Sequence, residues 1–179
     1  MAIPNHFQQH GPYGLLPPGT HDATLEEIRA SILVEGPPKP IPGWDRAHRL
    51  WLLDQLAPFV EDLWAAEVQD IFLDGSFVTD KARPTDIDGF YEALFERQKS
   101  ILPILLARNP IWMPQRVTTP EKQRKTQMWI NHKIEIYPAW EPAEEGILYR
   151  KFFTFQRVPA RGGPKMVPKG IVKVLKSGF

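Results

Sequence analysis

Residues 71–90, IFLDGSFVTDKARPTDIDGF, constrain the fold of this chain more than any other stretch. An apolar run ends at Leu73, a Gly-Ser pair follows, and after nine more residues two aspartates alternate with hydrophobic residues. The pattern predicts a short strand over 71–73 and a second over 86–91, with Pro84 and Thr85 in the connection positioning the aspartates. Side chains two apart on a strand share a face, so Asp86 and Asp88 are expected to point the same way. Gly75 lets the backbone approach a ligand closely, and Ser76 offers a hydroxyl. Together these are the layout of a metal-dependent, phosphate-handling site.

The rest of the chain reads as helices and strands around that block. Residues 1–22 are rich in Gly, Pro and His without periodicity and are expected to form an irregular arm. A helix follows, with Thr24 as N-cap, Glu27 completing a capping box, and Leu25, Ile28, Ile32 and Leu33 on one apolar face. Four prolines between Gly36 and Gly43 end it. From Trp44, the spacing of Leu50, Leu53, Leu56, Phe59 and Leu63 predicts two helices or one kinked at Pro58, with Trp51 and Trp64 in the core. A third helix is expected over 93–108, with Leu94, Ile101, Leu105 and Leu106 inward. Residues 112–118 read as a strand, and 121–127 as a solvated loop or helix turn. Residues 132–140 read as a strand ending at Pro138, and 147–156 as helix. A Pro/Gly/basic loop then leads to a last strand over 171–175.

A length of 179 residues suits one domain, which buries roughly two thirds of its unfolded surface. With no cysteine, disulfides, thiolate metal sites and a cysteine nucleophile are excluded. Any metal is then held by oxygen or imidazole, and a hard cation on carboxylates is expected. No leader pattern or membrane-length apolar run is visible, so the protein is expected to be cytoplasmic, without a membrane partner. The net charge of +1 conceals an asymmetry: residues 150–179 hold eight Lys or Arg and no acid. Such an end is either a solvated tail or a surface for nucleic acid or nucleotide phosphates.

Phosphoryl and nucleotidyl transfer depend on positioned phosphates and a divalent cation more than on a covalent nucleophile. Asp86 and Asp88 on one strand, with Glu135 between Ile134 and Ile136 on another, are the candidate metal ligands and catalytic acids. Gly75 and Ser76 are the candidate phosphate cradle. Each piece alone has an ordinary structural reading: alternating acids often form the solvated face of a sheet, and Gly-Ser is often only a turn. Their joint occurrence is far more restrictive.

In this order the residues resemble the signature of the DNA polymerase beta-like nucleotidyltransferase superfamily, in its minimal form. The segments LLPPGTHDATLEE (15–27), DGSFVTDKARPTDID (74–88) and PKGIVKV (168–174) are similar to those of small bacterial and phage nucleotidyltransferase-like proteins. The resemblance implies an α+β fold, a small mixed β-sheet backed by helices. It also implies Mg²⁺ (or Mn²⁺) on Asp86, Asp88 and Glu135, and transfer of a nucleoside monophosphate from an NTP with release of pyrophosphate. Many members have Asp where this chain has Glu135. Thr79 and Lys81 are placed in the loop facing the triphosphate.

The resemblance does not name the acceptor, which is expected to be an RNA, a nucleotide or a protein. Arg157, Arg161, Lys165 and Lys169 favour a polyanionic acceptor or the triphosphate itself, while Phe152 and Phe153 either pack under the basic loop or stack a base. Two other readings stay open. One is a catalytically inactive module that binds nucleotide or a protein partner, as in toxin–antitoxin or phage-defence pairs. The other is a nucleic-acid-binding protein in which the acids are incidental. A protein partner or self-association is expected to supply what so small a chain lacks.

Overall fold

Alternation along residues 70–94 sets the layers of the molecule, because it sends one set of side chains toward the helices and the other toward an open face. The computed structural model describes residues 1–10, 12–120, 123–141, 153–158, 163 and 165–177. Its strands are β1 (Gln8–His10), β2 (Tyr13–Leu15), β3 (Gly19–Thr24), β4 (Asp70–Asp74), β5 (Ile87–Leu94), β6 (Arg116–Thr118), β7 (Arg124–Thr126), β8 (Ile134–Glu141), β9 (Phe155–Val158), β10 (Lys165–Pro168) and β11 (Gly170–Leu175). Its helices are α1 (Leu25–Arg29), α2 (Ile32–Glu35), α3 (Arg46–Ala65), α4 (Phe95–Arg108) and α5 (Gln127–His132).

The fold is α+β, with a five-stranded mixed sheet in the order β3-β11-β4-β5-β8 backed by helices. The two outer pairs, β3 with β11 and β5 with β8, are parallel, and the inner pairs are antiparallel. On the helix side, Ile71, Leu73, Ile87, Ile134, Val172 and Val174 join Ile28, Leu33, Leu52, Leu56 and Leu63 in the main core. On the other side Phe72, Phe90, Phe153 and Ile171 make a smaller cluster. Phe90 stacks between Phe72 and Phe153, with ring centroids 4.8 Å from each. That second face is where Asp74 and Asp88 project, since they stand two residues beyond Phe72 and two before Phe90.

The capping box forms: Thr24 Oγ1 accepts from the Glu27 N–H at 3.2 Å, and the Glu27 carboxylate accepts from the Thr24 N–H at 2.8 Å. Two short helices replace the single one expected, because Ser31 caps a new start at Ile32. α3 runs unbroken through Pro58. Trp51 is not in the core: it is 40% exposed and stacks on His48.

The first 22 residues are not an irregular arm. β1 and β2 form a hairpin, and β3 is an outer strand of the main sheet. The alternation in β3 was masked by a polar residue at an inward position: His21 is buried, and its ring nitrogens lie 2.8 Å from the Pro17 carbonyl and 3.2 Å from that of Ala2.

β5 pairs with β8 through eight residues as far as Leu94, so α4 starts at Phe95 and Leu94 is exposed rather than inward. β8 also continues through Pro138. The Lys133 carbonyl accepts from the Ile87 N–H, so alternation aims the backbone nitrogens of Ile134, Ile136 and Pro138 at the open edge of the sheet, where a missing N–H costs no ladder bond. Part of 121–127 is strand β7, paired with β6. Most of the helix expected over 147–156 lies outside the described residues, and its last two residues belong to β9, which pairs with β10. No described helix is long and apolar enough to cross a membrane.

Candidate functional site

Sheet register builds the site. Asp74 is paired with Asp88 across β4 and β5, and Asp88 with Glu135 across β5 and β8. Residues directly opposite in a sheet share a face, so three carboxylates stand in a row across three adjacent strands. Asp86 precedes β5 by one residue, and its carboxylate joins the row. One carboxylate oxygen from each of Asp86, Asp88 and Glu135 lies within 4.8 Å of the others. Sequence spacing paired the two aspartates, and the parallel β5–β8 register brings Glu135 to them.

Each acid has its own support. The Trp129 indole N–H donates to Asp86 Oδ2 at 2.7 Å. Lys125, from β7, donates to Glu135 Oε2 at 2.6 Å. At the opposite end of the row Lys169 pairs with Asp74 at 2.6 Å, and both are buried. Asp88, in the middle, has acids on three sides. Burial, then the charges of Asp86, Asp74 and Glu135, push its carboxyl up to about 7 against the pull of Lys125. Burial likewise raises the Asp74 carboxyl, opposed by Lys169. Burial and the Glu135 charge also push the Tyr137 phenol upward.

These groups fit a hard divalent cation. All the donors are oxygens, the like charges strain the ionised state of Asp88, and Glu135 Oε1 is buried without a hydrogen-bond partner. A cation among Asp86, Asp88 and Glu135 would relieve the repulsion between them.

The Gly-Ser turn is shaped by the acids themselves. Gly75 has φ of +70°, and a Cβ there would collide with the Asp88 carboxylate. Its close approach is therefore to the neighbouring strand. Ser76 is half-buried in the 3₁₀ turn Gly75–Val78, and its carbonyl accepts from the Thr79 hydroxyl at 2.8 Å. The Thr79 hydroxyl also accepts from the Lys81 N–H. Thr79 is thus buried and occupied in fixing the loop, not facing a ligand, whereas Lys81 is exposed.

Four contributors were not identified from sequence: Lys125 and Trp129, which hold Glu135 and Asp86, and Asp74 and Arg49. Asp74 precedes the Gly-Ser pair and ends an apolar run, so its place in the row depended on strand register. Arg49 is fully buried, and its guanidinium donates to the carbonyls of Leu33, Phe77, Thr79 and Lys81 at 2.5–3.0 Å, beneath the Trp44 ring. Burial lowers its pKa to about 9, which leaves it charged at neutral pH. The available signal was a charge on the apolar stripe of α3, at helical spacing from Leu52, Leu53 and Leu56.

Beside the acids, an open cavity of about 1100 Å³ separates the sheet face from the β9–β10 hairpin. Asp74, Gly75, Asp88, Arg157 and Lys169 line it, together with Tyr137, Phe153 and Phe155, and Lys169 sits against Asp74. Phe153 packs on Phe90; Phe152 and Arg161 lie outside the described residues. Of the basic end, Arg157 and Lys165 are exposed, while Lys169 is buried beside Asp74.

No curated protein and no solved structure matches the chain. One family model, described as a family of unknown function (DUF6932), matches residues 8–175, and the chain belongs to that family.

Proposed function

We propose that the protein is a divalent-metal-dependent nucleotidyltransferase that moves a nucleoside monophosphate from an NTP to an acceptor hydroxyl. The observation that carries this reading is the convergence of Asp86, Asp88 and Glu135 within 4.8 Å beside a cavity with basic and aromatic walls. Asp86 and Asp88 would hold the cation, with Glu135 beside it as the third acid. A bound Mg²⁺ or Mn²⁺ would neutralise the polyphosphate and acidify the acceptor hydroxyl.

The chain's own groups supply the rest. Arg157, exposed in the lining of the cavity, is the cation suited to phosphate oxygens, and Phe155, 38% exposed, offers a face to the base. The acceptor oxygen attacks the α-phosphorus, and the bond from that phosphorus to the bridging oxygen breaks, so that pyrophosphate leaves with the electron pair. Glu135 Oε1, buried and unpartnered, is the atom available to take the acceptor's proton.

The test is release of pyrophosphate from a panel of labelled NTPs with Mg²⁺. Wild type is expected to turn over at least one of them, and Asp86→Asn or Asp88→Asn to abolish turnover with the circular dichroism spectrum unchanged. Turnover that survives both substitutions would sink the reading.

One observation favours a second reading, a nucleotide-binding module without catalysis: the Lys125 ammonium already occupies Glu135 Oε2. NTP binding that needs no metal and ignores the aspartate substitutions would select it.

A further inference from the structure

A second pocket, of about 600 Å³, wraps the open edge of β8 on the far side of Glu135. Its walls are apolar, formed by Leu102, Leu105, Trp112, Met113 and Ile136 from α4, the turn after it and β8. Glu135 and Tyr137 line it where it meets the acid row, and Tyr137 also lines the larger cavity. Tyr137 is therefore shared by the two pockets. Lys99 and Arg116 are the cations of the lining; Arg116 lies 5.9 Å from the centre of the Tyr137 ring and donates to the Arg124 carbonyl at 3.5 Å.

The volume is that of a small-molecule site, and the lining is a set of apolar walls with a few placed polar groups. A single-stranded nucleic acid needs the opposite, a basic track with stacking faces along it. Two cations at an apolar wall select a ligand that has an anionic group on an apolar body. The one acid, Glu135, is the group that faces a hydroxyl.

We propose that this pocket binds a small aromatic or alicyclic molecule bearing a carboxylate or similar anion and a hydroxyl, and presents that hydroxyl to Glu135. Only the naming of this ligand as the acceptor rests on the transferase reading. The ligand's body packs against Trp112, Leu105 and Met113, its anion meets Lys99 and Arg116, and its hydroxyl points along β8 toward the acid row. NTP occupies the other cavity at the same time.

The probe is 6-hydroxy-2-naphthoate, titrated by its fluorescence into the full-length protein. One saturable site is expected. Met113→Asp and Lys99→Glu, both at exposed positions, are each expected to weaken it about tenfold or more with the circular dichroism spectrum unchanged. Binding is expected to persist in Asp86→Asn and in saturating Mg²⁺–ATP. No saturable binding overturns the proposal, as does binding indifferent to both pocket substitutions, or probe displaced by Mg²⁺–ATP or by a short RNA. Pyrophosphate release is scored separately: its absence in wild type sinks the transferase reading, while the titration alone decides the pocket.

Discussion

At the scale of single residues, the central acid governs the site. Asp88 has a folded-state pKa of about 7, against about 3.9 for an unperturbed aspartate. The folded, metal-free protein therefore holds this proton more tightly than the unfolded chain. The resulting stability is complete below about pH 4 and is lost as pH rises through 7. Asp88→Asn is expected to stabilise metal-free protein at pH 8 by on the order of 1–3 kcal/mol and to change little at pH 4. Thermal melts at the two pH values check this; an equal shift at both would remove the like-charge account. Because a cation must displace the same proton, Mg²⁺ affinity of the wild type is expected to rise with pH up to about 7.

At the scale of elements, Arg49 is the buried link between α3 and the loop after β4. Arg49 satisfies four carbonyls from two segments, including three in the loop that carries Gly75 and Ser76. Arg49→Met leaves those acceptors buried without donors, and is expected to cost on the order of 3–5 kcal/mol in urea unfolding. Arg49→Lys should not recover it, since an ammonium has no planar fork to span the four carbonyls. A lysine variant as stable as wild type would show that charge alone holds the loop.

At the scale of the whole molecule, the last strand closes the site made by the middle of the chain. Lys169 lies just before β11 and pairs with Asp74 at the end of β4, 95 positions away in sequence, with both groups buried. Lys169→Met strands a buried carboxylate and is expected to destabilise by on the order of 3–5 kcal/mol. Adding Asp74→Leu should restore most of that loss, because the pair is then replaced by apolar packing. Stability that falls further in the double variant would mean that the two residues act independently. The same closure accounts for the buried state of a lysine that composition placed in a basic surface segment.

How much could be read in advance depended on the range of the interaction. The strand before Gly75, the Thr24–Glu27 capping box, the last strand and the pairing of Asp86 with Asp88 rest on spacing within a few residues. They were legible because backbone geometry fixes them locally. Trp51, β3 and the length of β5 were not, since a ring's burial and a strand's extent are set by neighbours far along the chain. Sequence by itself determined an α+β chain and a set of oxygen donors suited to a hard cation. Only the tertiary structure decided that Glu135 reaches the aspartates, that Asp74 and Lys169 belong with them, that Thr79 is committed to its loop, and that a second pocket opens beyond β8. Those outcomes depend on strand order and register, which arise from burial summed over the whole sheet and which no single segment encodes.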